Sequence, residues 1–109
     1  MERIALLADI HGNSTALKAV LKDCRQNHIQ KFILLGDLFT KGPDPAGVFR
    51  QLQRLPTLAA VAGNTDDWLL AAGGLTARQA ALTAFTRKEL PEPALTYLAS
   101  LRRSLLLER

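Results

Sequence analysis

Four side chains bearing oxygen or nitrogen donors stand just after short apolar runs in this sequence, and their pattern suits a divalent metal site. Ile4-Ala5-Leu6-Leu7-Ala8 leads into Asp9-Ile10-His11-Gly12-Asn13, Phe32-Ile33-Leu34-Leu35 into Gly36-Asp37, and Leu58-Ala59-Ala60-Val61-Ala62 into Gly63-Asn64. Short apolar runs bounded by turn residues read as buried strands. Residues two apart in a strand point the same way, so Asp9 and His11 are expected to project together from the strand's carboxyl end. Gly12 lets the backbone turn tightly there. Carboxylate, imidazole and amide donors suit manganese, iron(II) or zinc better than a thiolate-loving metal. Asp37, central among the three strands, is placed to bridge two cations about 3.5 to 4 Å apart, a pair that polarises a phosphoryl group and lowers the pKa of a bridging water for in-line attack on phosphorus. Asn64 would give its amide oxygen to the second cation.

The segments between these blocks have to bring them together. After the first block, Asn13 or Ser14 can cap a helix in which Leu17, Val20, Leu21 and Cys24 recur at helical spacing. Two strands joined by a helix make a right-handed parallel crossover, so Asp37 should emerge at the same sheet edge as Asp9. Ligands of open parallel sheets bind just beyond that edge. Lys41-Gly42-Pro43-Asp44-Pro45 is a turn ending in a helix start, with Asp44 as cap and Pro45 first in the helix. That helix carries Val48, Leu52 and Leu55 inward as far as Pro56. Beyond Asn64 the chain reads as helical. A short helix through Trp68-Leu69-Leu70 is ended by Gly73-Gly74, and Thr76 to Gln79 has capping-box spacing for a helix with Leu82 and Phe85 inward. A last helix turns Leu95, Leu98 and Leu101 inward, and Leu105-Leu106-Leu107 reads as another strand beginning. The expected fold class is α/β, a parallel βαβαβ unit followed by helices.

Length and composition bound the rest. With 109 residues, 48% of them hydrophobic, the chain is expected to form one domain, residues 1–109. No apolar run approaches the roughly 20 residues of a spanning helix, and Met1-Glu2-Arg3 leads directly into a strand without a signal-peptide pattern. The single Cys24 fits a reducing compartment and a core position. A cytoplasmic protein is the simplest expectation. The net charge of +4 is scattered and not interleaved with aromatics, so nucleic acid is not indicated. Mostly it reads as solvated surface, with a modest attraction for phosphate esters as the alternative. His28, at the end of the first helix, reads as a surface residue.

The three blocks resemble the first three metal-binding blocks of the calcineurin-like metallophosphoesterases, especially their small bacterial phosphodiesterase-like branch. Lys41-Gly42-Pro43-Asp44-Pro45 is similar to a turn common after the second block in that branch. The resemblance implies the amino-terminal half of a four-layer α/β/β/α fold with two divalent metal ions at the strand ends, manganese first, with iron, zinc, nickel or magnesium open. Carried over by position, Asp9 and His11 hold one metal, Asp37 bridges and Asn64 holds the second. The implied activity is hydrolysis of phosphomonoesters or phosphodiesters by a metal-activated hydroxide, with Asp37, Asn64 and Thr65 as the catalytic positions.

Two departures bear on that activity. The family's third block often has a histidine after the asparagine, where this chain has Thr65, whose hydroxyl has too high a pKa to act as a general acid at neutral pH. The family's further histidine ligands, including a Gly-His-x-His block, have no counterpart, since this sequence holds only His11 and His28. Asp37 and Asn64 alone are too few ligands to bind a second metal tightly. Parallel sheets are normally covered on both faces, so a half-fold predicts a homo-oligomer or a partner segment over the open face. The alternative function is a catalytically impaired metal-binding or interaction module on the same scaffold. A phospho-accepting receiver domain expects an acidic pair after the first strand, but Ile10 and His11 follow Asp9.

Overall fold

The structure, a computed structural model, describes residues 3–104. Three strands, β1 (Ile4–Leu7), β2 (Lys31–Leu34) and β3 (Thr57–Ala60), form one sheet in the order β1-β2-β3 with both pairings parallel. The crossovers are α1 (Ser14–Gln26) and α2 (Pro45–Leu52); α3 (Asn64–Leu70), α4 (Ala77–Glu89) and α5 (Glu92–Ala99) follow. The expected βαβαβ unit and trailing helices are therefore present. The sheet continues beyond β3, because Val61 pairs in parallel with Arg102 and the Ala62 amide donates to the Arg102 carbonyl at 2.8 Å. The strand expected at Leu105-Leu106-Leu107 lies outside the described residues.

Each crossover helix starts on a side-chain cap. The Asn13 carboxamide accepts the Ala16 amide at 3.0 Å, which resolves the choice between Asn13 and Ser14. Ser14 instead donates to Asp44 Oδ2 at 2.7 Å, while Asp44 Oδ1 accepts the Gly47 amide and caps α2, so one carboxylate ties two helix starts together. Leu17, Leu21 and Cys24 are the buried positions of α1, as their spacing predicts, and Val20 is exposed. Burial pushes the Cys24 thiol up from its ordinary pKa, as befits a core thiol.

The core lies on one face of the sheet. Leu7, Phe32 and Leu34 pack in a single cluster with the buried stripe of α1 and with Val48, Phe49 and Leu52 of α2. The other face is open: Leu6 is 62% exposed, and Leu35 and Leu58 are exposed as well. Leu58 falls where the β2–β3 register slips by one residue, between Phe32↔Thr57 and Ile33↔Ala59. No helix among the described residues is long and apolar enough to cross a membrane.

The carboxy-terminal helices depart from expectation in detail. α3 ends at Leu70, before Gly73-Gly74. Thr76 and Gln79 form the expected capping box, but α4 turns Thr83 and Thr86 inward and leaves Phe85 exposed. Positions 83, 86 and 90 share helical spacing as much as 82 and 85 do, and the smaller threonines allow closer approach to the neighbouring helices. Thr86 satisfies its hydroxyl on the Leu82 carbonyl at 3.0 Å.

A one-faced core makes a clear prediction. Leu34→Ala, at a position 1% exposed, should lower unfolding stability by about 2–5 kcal/mol. Leu6→Ala, on the open face, should change it by less than about 1 kcal/mol. Urea unfolding of both variants checks the contrast, and equal losses would place a core on both faces.

Candidate metal centre

The loops after β1 and β2 and the start of α3, which follows β3, hold the predicted site residues. Asp9 and His11 lie beyond the end of β1 rather than within it, so strand alternation does not bring them together as the sequence suggested. Backbone torsion does: Asp9, His11 and Asp37 all have positive φ, at 55°, 48° and 56°. Left-handed backbone costs an ordinary L-residue roughly 1–2 kcal/mol, and such strain persists only where its surroundings over-determine it. Here the loop after β1 is laced to the loop after β2. The His11 amide donates to the Asp37 carbonyl and the Gly12 amide to the Leu38 carbonyl, both at 2.9 Å. Gly12 also has positive φ, and a Cβ there would strike the Phe39 carbonyl, so the close approach of the loops requires glycine.

These constraints gather three ligand-type groups. Asp9, His11 and Asp37 each present a donor atom, all within 4.8 Å of one another. His11 Nδ1 lies 3.0 Å from the Thr40 carbonyl. A carbonyl only accepts, so Nδ1 carries a proton, and Nε2, 3.5 Å from Asp9 Oδ1, is the nitrogen left to ligate. A backbone carbonyl fixing one imidazole nitrogen so that the other faces inward is how metal-ligating histidines are held. Oxygen, nitrogen and oxygen donors with a fixed tautomer thus fit a divalent ion.

Thr65, expected at the leaving-group side, is 1% exposed. Its hydroxyl donates to Asp37 Oδ1 at 2.6 Å and its amide to the same oxygen at 3.0 Å. Partial burial works to raise the Asp37 pKa, but these two bonds, with the nearby His11 and Asp9, outweigh it and hold the carboxyl below its ordinary range. Asn64, the first residue of α3, is exposed and immediately precedes Thr65. The preceding Gly63 packs so closely against Asp37 that a Cβ would meet its carboxylate. His28 is exposed and far along the chain from the cluster, as expected.

The sequence reading missed Asp66. This residue is fully buried, and its carboxylate accepts the amides of Asp37 at 2.8 Å, Leu38 at 3.0 Å and Gly63 at 2.9 Å. Burial pushes its pKa up, the three amides hold it back, and the neighbouring Asp37 charge adds to the rise, leaving it above the ordinary value. The available signal was the acid three residues after Gly63 at a helix start, the spacing of a capping box. Leu38, Phe39 and Thr40 follow β2 outside any strand or helix, yet all three are fully buried. Phe39 meets Phe49 edge-to-face at 6.1 Å, and the Thr40 hydroxyl donates to the Thr65 carbonyl at 3.2 Å.

A family model described as calcineurin-like phosphoesterase matches residues 2–102. The chain belongs to that family. A solved structure titled as a metallophosphoesterase from Sphaerobacter thermophilus superposes with a TM-score of 0.80 at 28% identity, over 96% of this chain and 43% of that one. The uncharacterized protein MJ0912 of Methanocaldococcus jannaschii is 39% identical over 67 residues, 62% of this chain and 27% of that protein. The chain thus spans less than half the length of either.

The Asp37 environment is directly testable. Its folded pKa is depressed, so the stability it contributes is present above the unfolded carboxyl pKa and lost as pH falls through the folded value. Thr65→Val removes the hydroxyl donor and should raise the Asp37 pKa, moving that loss to higher pH. Carbon-detected NMR titration of the metal-free protein reads the shift; an unmoved Asp37 would mean the hydroxyl does not set it. Asp66→Asn replaces an acceptor oxygen with a donor facing backbone amides and should cost about 1–3 kcal/mol or more, read by thermal unfolding.

Proposed function

We propose that residues 1–109 form one metallophosphoesterase domain that hydrolyses phosphomonoesters or phosphodiesters, with Asp9, His11 and Asp37 binding a divalent ion and Asp37 and Asn64 facing a second. The observation that carries this reading is the convergence of donor atoms of Asp9, His11 and Asp37 within 4.8 Å, with Nδ1 of His11 tied to the Thr40 carbonyl. Manganese is the first candidate on the donor set, with iron, zinc, nickel and magnesium next. A bound divalent ion supplies Lewis acidity and a lowered water pKa. The chain's own residues supply position. Thr65 holds Asp37 Oδ1, which leaves Oδ2 for the ion, and the Thr40 carbonyl engages Nδ1 of His11, which leaves Nε2 for it.

Thr65 acts through Asp37 in this reading, because its hydroxyl is already donated there. With no histidine at that position, protonation of the leaving oxygen is the weak step, so esters with good leaving groups should turn over faster. An aryl phosphodiester should be hydrolysed at least about tenfold faster than an alkyl one. Equal rates would sink this assignment.

The second reading, a metal-binding or interaction module without turnover, draws on ligand number. Among the described residues Asp9, His11 and Asp37 are the gathered ligand set, and Asn64 adds a single neutral oxygen for a second ion. The open sheet face carrying Leu6, Leu35 and Leu58 suits a covering partner, either a second copy or a further segment. A reducing cytoplasmic setting fits the lone buried Cys24.

Elemental analysis after manganese loading, paired with hydrolysis of a nitrophenyl phosphodiester and an Asp37→Asn control, separates the readings. Two ions per chain with activity lost in Asp37→Asn supports the enzyme. One ion, with hydrolysis no greater than in the control, supports the module.

A further inference from the structure

We propose a second ligand site at the opposite, amino-terminal edge of the sheet, for a small organic anion with an apolar body, such as an alkyl phosphate. A cleft of about 780 Å³ lies there between α1, α2 and the strand starts, within the 300–1,000 Å³ range of small-molecule sites. Its floor is apolar, made by Leu21, Ile29, Phe32, Leu55 and Pro56.

Its rim is cationic. Lys18, Arg25 and Arg54 line the cleft together with Lys31, and among the described residues no carboxylate lines it. The charged ends of Lys18, Arg25 and Arg54 have no hydrogen bond or salt bridge among the described residues. Arg25 and Arg54 each stand near a helix carboxyl end, where the dipole favours a cation. That accounts for each alone, but not for their meeting with Lys18 around one apolar floor. Clustered like charges repel, and an anion relieves the repulsion. Guanidinium groups suit a phosphate or carboxylate head, and the floor suits the attached hydrocarbon.

The charge distribution along the helices also places the head group. The cleft opens into a groove that follows α1 and α2 toward the metal edge, sharing Lys18, Gln51 and Arg54. At its far end stands the Asp44 carboxylate, held ionised by its bonds to Ser14 and Gly47. Arg50 stands beside that carboxylate and offsets it, so Lys18, Arg25 and Arg54, which have no such partner among the described residues, are the cations left for an anionic head group. The groove offers no exposed aromatic platform, which favours a small amphiphile over a nucleic-acid strand.

The test is NMR titration of the full chain with octyl phosphate, inorganic phosphate and octanol. Octyl phosphate should shift the Leu21, Ile29 and Leu55 methyls and bind about tenfold or more tightly than either half-ligand. Lys18→Glu with Arg54→Glu should weaken it about tenfold, with the fold monitored by circular dichroism, while Asp37→Asn leaves it unchanged. In wild-type protein, raising the salt concentration should weaken binding in the same direction, which guards against misfolding of the charge-reversed variant. Octanol binding equally well, shifts at Leu6 and Leu58 instead, or no octyl phosphate binding would overturn the proposal. So would capture only by phosphatidylglycerol vesicles, which would make this a membrane-facing surface.

Discussion

The loops of this protein are held together by one buried carboxylate. Asp66 sits at the start of α3 with no exposure and accepts three backbone amides, two from the loop after β2 and one from the loop after β3. Placing a charge in the interior is costly unless its hydrogen-bonding capacity is used. Here both oxygens are used, and the amides they satisfy belong to backbone that has left the regular sheet and would otherwise lack partners. Asp66 thereby fixes where Asp37 begins its turn, and everything at the site edge follows from that position.

Asp37 then carries the constraint outward. Its carbonyl receives the His11 amide, its carboxylate receives Thr65 twice, and Gly63 lies against it with no room for a side chain. The left-handed backbone at Asp9, His11 and Asp37 is affordable because these bonds, and the buried Leu38-Phe39-Thr40 segment beneath, leave the loops little freedom to relax. A rigid first set of donors is what metal binding needs, since reorganising ligands on binding subtracts from affinity.

The two faces and two edges of the sheet have different characters. One face is a packed core shared with α1 and α2, and the other exposes leucines. The carboxyl edge gathers two acids and a histidine, while the amino edge gathers cations over an apolar floor. The overall charge of +4 thus includes a local concentration of Lys18, Arg25 and Arg54 that even scatter along the sequence conceals, because α1 and α2 bring together residues some thirty positions apart.

Local patterns in the sequence determined the three strands, the crossover helices, the Asp44 and Thr76 caps, and the common edge for Asp9, Asp37 and Asn64. Each rests on short-range periodicity or on the handedness of a crossover, which a sequence carries within one window. Only the tertiary structure decided the rest. The burial of Thr83 and Thr86 in place of Phe85 depended on how closely neighbouring helices approach, since α4 offers two stripes of equal helical spacing. Convergence of Asp9 with His11 came from left-handed backbone beyond β1, imposed by bonds to a loop more than twenty residues away. The roles of Asp66 and Thr65 were set by partners 28 or 29 positions distant. A carboxylate's environment is a property of what the fold packs around it, and a linear pattern holds no record of that.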